Sequence, residues 1–138
     1  MYNFGRSGIA AYRDTRADAA LGASPHELVQ MLLDGALERL ASAKGQIGRG
    51  ETAAKAANLS RAYAIVEALR LALDRDRGGE IARNLEDLYQ YVLLRITEAN
   101  LHNDVRRLDE AASLLTEIRS AWAAIAPGRG ATTAPSAA

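Results

Sequence analysis

Apolar residues in this chain return at alternating spacings of four and three, in blocks separated by glycine or proline. That pattern admits little except a bundle of helices. In the first block, Val29, Leu33, Ala36, Leu40, Ala43 and Ile47 make one seam. Ser24, Pro25 and Glu27 ahead of it form a helix start, with a capping serine, a proline at the first helical position and a glutamate to close a capping box. Gly48-Arg49-Gly50 ends that helix. A second is expected from Thr52 to about Arg75, with Leu59, Ala62, Val66, Leu69 and Leu73 inward and Gly78-Gly79 as its stop. A third is expected from Glu80, along Ile81, Leu85, Leu88, Val92, Ile96 and Ala99. The segment from Asn100 to Asn103 reads as a short break, with Asn103 a fair N-cap for a fourth helix. That helix carries Val105, Leu108, Ala112, Leu115, Ile118, Trp122 and Ile125.

Helices of about 20–24 residues are each about 30–36 Å long. When they are matched in length and joined by loops of a few residues, neighbours must run antiparallel. The expected fold is therefore all-α, an antiparallel up-down-up-down four-helix bundle over residues 24–126. Residues 1–23, with Tyr2, Phe4, Ile9, Tyr12 and Leu21, are too sparsely apolar for a fifth helix and are expected to cap the bundle. Residues 127–138, opening at Pro127, have no apolar pattern and are expected to be disordered.

A length of 138 residues suits one core, and 49% apolar residues can fill it. The 17 basic and 17 acidic residues balance, whereas phosphate-binding proteins carry a basic excess or stripe, so a nucleic-acid partner is not expected. Without cysteine there is no disulfide framework and no thiolate metal site. The first 16 residues hold no apolar run of signal-peptide length, and no segment approaches the roughly 20 apolar residues that span a bilayer. A soluble protein of the cytoplasm, without membrane insertion, is expected.

Catalysis is not. The two histidines, His26 and His102, fall in the first turn of a helix and in a turn, and are read as solvated. A di-iron bundle needs Glu-x-x-His pairs facing inward, but Glu98 and His102 are four apart at a helix end. A phosphotransfer bundle needs an exposed histidine in mid-helix, which neither supplies. Gly78-Gly79 lacks the spacing and the lysine of a phosphate loop. No metal, cofactor or small-molecule substrate is implied.

The third helix carries a different signal. Seven of the nine residues from 88 to 96 are apolar or aromatic, more than the three or four positions per two turns that a bundle stripe uses. At 100° per residue, Tyr91 and Leu94 point away from the Leu88–Val92 seam. Either neighbouring helices and the N-terminal segment cover this surplus, or it is a groove for an apolar partner segment. The candidate contacts are Leu88, Tyr89, Tyr91 and Leu94, with Leu71 facing outward on the second helix and Leu101 extending the strip. Of these, Tyr89, Tyr91, Leu94 and Leu71 are read as pointing outward, and tyrosine suits such a groove.

These residues also carry a resemblance. The stretches Ser24-Pro25-His26-Glu27-Leu28, Met31 to Leu37, Leu73-Asp74, Gly79-Glu80-Ile81-Ala82, Asn84-Leu85, Leu88-Tyr89-Gln90-Tyr91, Ala99-Asn100, Asp109-Glu110-Ala111, Arg119 and Ala121-Trp122 stand in an order that resembles the FliS family. Each is weak alone, and the ordered set is specific. Leu33 departs from the family, which often has an aromatic residue there. The resemblance implies a four-helix flagellin-specific export chaperone. It would bind the disordered C-terminal segment of flagellin in apolar grooves, prevent premature polymerisation and help deliver flagellin to the export gate. It further implies that the N-terminal segment, with Tyr12, covers part of that surface when no partner is bound. A histidine phosphotransfer or signalling bundle and a self-associating structural bundle are the alternatives.

Overall fold

The computed structural model describes residues 22–125. The four helices are α1 (Pro25–Gly48), α2 (Thr52–Leu71), α3 (Arg75–His102) and α4 (Val105–Ala124). Helix α1 packs on α2 and α4, and α3 packs on the same two. With links of two or three residues, this is the expected antiparallel up-down-up-down four-helix bundle. Residues 1–21 of the expected cap segment 1–23, Tyr12 among them, and the expected tail 127–138 lie outside the described residues.

The start of α1 follows its sequence signature. The Glu27 amide donates to Ser24 Oγ at 3.1 Å and the Ser24 amide donates to Glu27 Oε1 at 3.0 Å. The Ser24 amide, and after it the Ser24 hydroxyl, hold the Glu27 carboxyl below its ordinary range. The α1 and α2 seams also stand as expected: Val29, Leu33, Ala36, Leu40 and Ala43 meet Leu59, Ala62, Val66 and Leu69 in the core, with Leu73 buried just beyond α2.

Three boundaries differ from the sequence reading. Helix α2 ends at Leu71, not near Arg75, because Asp74 is the stronger signal. Its side chain accepts from the Arg77 amide at 3.1 Å and starts α3 there. Gly79 is therefore a kink within α3 rather than a stop between helices, with φ 53° and ψ −129°. Finally, α3 runs unbroken through Asn100 to His102, and Asn103 is its left-handed C-cap at φ 53°. Asp104 caps α4 instead, accepting from the Arg106 amide at 3.0 Å. Asparagine tolerates the left-handed region better than most residues, which explains its place after the helix rather than before the next.

Lys55 reinforces this corner. It is 4% exposed, and its ammonium donates to the Asn100 carbonyl at 2.9 Å and to Asn103 Oδ1 at 2.8 Å. A cation on the carboxyl end of α3 is well placed against the helix dipole.

No Cβ-sized obstacle surrounds Gly79, so its requirement is conformational alone. Gly79→Ala is expected to destabilise the bundle by about 1–3 kcal/mol, the cost of holding a side chain in a glycine-only region. Urea denaturation of the variant checks this, and an unchanged midpoint would show that the kink relaxes freely.

Candidate functional site

The C-terminal half of the α3 seam stands as read from the sequence, with Val92, Ile96 and Ala99 buried, but in the N-terminal half the buried positions shift by one residue. The buried residues of α3 are Ala82, Tyr89, Val92, Leu93, Ile96 and Ala99. Ile81, expected inward, is 62% exposed, and Leu88 is 37% exposed. Tyr89, expected to point outward, is fully buried at 0% exposure. Neighbouring positions on a helix lie about 100° apart, so turning Leu88 towards the surface carries Tyr89 inward.

This shift leaves an apolar groove between the N-terminal half of α3 and α4. Ile81, Leu85 and Leu88 line one wall, Ile118, Ala121, Trp122 and Ile125 line the other, and Val29 of α1 lies beneath. Its volume is about 360 Å³, and among the described residues Glu117 is the one charged side chain that lines it. Trp122 is fixed in place from behind. Its indole N–H donates to the His26 carbonyl at 3.0 Å, and its ring stacks on the His26 ring at 4.7 Å between centroids and 12° between planes. His26 is thus half-buried against Trp122 rather than solvated, while His102 is exposed at the end of α3.

A second depression lies on the other side of α3, against α2. Leu94, 52% exposed, lines it with Tyr63, Leu93, Glu67, Arg70, Gln90 and Thr97 in about 340 Å³. Its edge is charged and internally paired. Arg70 donates to Glu67 at 2.6 Å and to Glu86 at 2.8 Å, and Arg75 also bonds Glu86. Burial pushes the Glu86 carboxyl up, but the two guanidinium groups outweigh it and hold the pKa below the ordinary 4.5. A carboxylate with a depressed folded pKa stabilises the fold above its unfolded pKa, and the gain disappears as pH falls through the folded one. Glu86→Gln is therefore expected to cost about 1–3 kcal/mol at pH 7. The variant and the parent should converge in denaturation curves as pH falls below the ordinary carboxylate range, and a gap that stays constant from neutral to acid pH would contradict the ion pairs.

The candidate contacts thus divide. Leu88 belongs to the α3–α4 groove and Leu94 to the α2–α3 depression. Leu71 and Leu101 are 65% and 74% exposed and line neither. Tyr91 is half-buried, and its hydroxyl donates to Glu110 at 2.7 Å. Ile81, Trp122 and Ile125 were read from the sequence as core, yet they line the groove.

Among the described residues, no group of three or more histidine and carboxylate side chains could hold a metal ion. No described helix is long and apolar enough to cross a membrane.

Residues 8–129 match the family described as flagellar protein FliS. The chain is 42% identical over 123 residues to a flagellar secretion chaperone FliS of Salmonella typhimurium, covering 88% of this chain and 91% of that one. It is 41% identical over 120 residues to flagellar secretion chaperone FliSB of Pseudomonas aeruginosa, covering 86% and 95%. The Vibrio cholerae flagellar secretion chaperone FliS is 41% identical over 123 residues, covering 88% and 90%. The order of motifs, the four-helix bundle and these matches together place the chain in the FliS family of flagellar secretion chaperones.

Proposed function

We propose that this flagellar export chaperone acts by stoichiometric binding of the C-terminal segment of flagellin in the cytoplasm, without catalysis. Bound in this way, flagellin is kept from premature polymerisation and handed to the export gate. The observation that carries the reading is the α3–α4 groove, lined almost wholly by apolar side chains, whereas the α2–α3 depression has a charged edge. A disordered segment that folds on binding loses ordering entropy, so it needs a large apolar area to dock on. The groove offers isoleucine, leucine and tryptophan surface for the apolar face of a short helix.

Within this reading, Leu88 is a direct contact together with Ile81 and Trp122. Leu94 and Tyr63 offer a second anchor across α3, and Leu71 and Leu101 offer exposed apolar surface beyond both depressions. Tyr91 stands at the groove's edge, and Tyr12 competes for the site when flagellin is absent. Tyr89 lies in the core and is not a flagellin contact.

Co-purification with full-length flagellin and with flagellin lacking its C-terminal segment tests the proposal. Retention of the full-length protein and loss of the truncated one is expected. Equal retention of both would overturn the stated mode of binding.

A further inference from the structure

The seam between α3 and α4 changes character along its length. From Ile81 to Leu88 it is the open apolar groove. One turn beyond Leu88 it closes with polar side chains. The Tyr91 hydroxyl donates to Glu110 Oε2 at 2.7 Å, and Arg95 Nε lies 3.0 Å from Glu110 Oε1. The Arg95 guanidinium also sits 4.7 Å above the Tyr91 ring and donates to Glu98 at 2.8 Å. Arg107 bonds the same Glu98 at 3.0 Å and Asp104 at 3.1 Å, so the charged side chains continue to the α3–α4 turn.

We infer that the Tyr91–Glu110–Arg95 cluster is the end wall of the groove and limits the segment it accepts to about two helical turns. This rests on reading the groove as the flagellin site. From Ile81 to Leu88 the wall of α3 rises about 10 Å at 1.5 Å per residue. A longer helix advancing past Leu88 would have to displace a ring–guanidinium–carboxylate cluster and leave its charges desolvated and unpaired. Arg95 and Glu98 are only 23% and 31% exposed, so water screens their bonds less than it would screen a surface pair. The bound segment must therefore break or leave the groove sideways at Tyr91. Tyr91 and Glu110 act on the partner as positioning residues that set its length and register.

The experiment compares the parent protein with Glu110→Ala/Tyr91→Ala, using nested flagellin C-terminal peptides that grow by one helical turn at either end. Glu110 is 45% exposed, so its loss leaves the core untouched. A second pair, Glu110→Gln/Tyr91→Phe, removes the charge and the hydrogen bond at constant volume. Calorimetric titration is expected to show that the turn reaching the wall adds less than about twofold to affinity in the parent. The same turn should add about five- to tenfold in the alanine pair, with a smaller gain of the same sign in the conservative pair. Equal gains in all three proteins would overturn the end wall while leaving the groove reading intact. Binding insensitive to Ile81→Asp, or no binding of any peptide by the parent, would overturn both.

Discussion

Tyr89→Ala is expected to destabilise the bundle by about 3–5 kcal/mol, the cost of removing a large buried ring and leaving a cavity. Tyr89 is the largest fully buried side chain among the described residues, and it belongs to the same core cluster as Leu33, Val66 and Leu115. All four helices thus contribute to that cluster, and partial collapse of one of them cannot refill the space. A melting temperature lower by more than about 10 °C is expected in thermal denaturation. Tyr89→Phe keeps the ring and isolates the share of the hydroxyl. A loss below about 1 kcal/mol for Tyr89→Ala would show that the side chain faces out after all, as the sequence suggested.

Ile81→Asp is expected to have the opposite profile, with little change in stability and a large loss of binding. The side chain is 62% exposed, so a carboxylate there remains hydrated and the core is undisturbed. In the occupied groove the same carboxylate would be buried against apolar walls without a partner. Loss of affinity for a flagellin C-terminal peptide by at least about 100-fold, or about 2.7 kcal/mol, is expected by calorimetric titration. Leu94→Asp provides the contrast. It lies across α3 in the depression with the charged edge, so a smaller loss is expected. If Leu94→Asp abolishes binding while Ile81→Asp leaves it intact, the docking surface is the α2–α3 face.

The division between these two residues shows why the site was only partly legible. Seven apolar or aromatic positions among residues 88–96 make α3 apolar on nearly every side. Within such a stretch, local pattern gives no preference for Leu88 or Tyr89 as the buried neighbour. The Arg75–Glu86–Arg70 ion pairs and the Gly79 kink help fix the rotation of α3. The two bonds to Glu86 join residues that no periodicity links, 11 and 16 positions apart.

The sequence by itself determined the helix count, the antiparallel order, the Ser24–Glu27 capping box and the α1 and α2 seams. Those features follow from local capping chemistry and from a repeat long enough to average over one ambiguous position. The ordered motifs likewise pointed to the FliS family before any geometry was known. Only the tertiary structure decided which face of α3 is free, that Trp122 is a groove wall braced by His26, and that Tyr91 meets Glu110 one turn beyond Leu88. Those outcomes depend on how far one helix turns against two others. A rotation of one residue, about 100°, exchanges a core side chain for a contact without altering the helical pattern that encodes it.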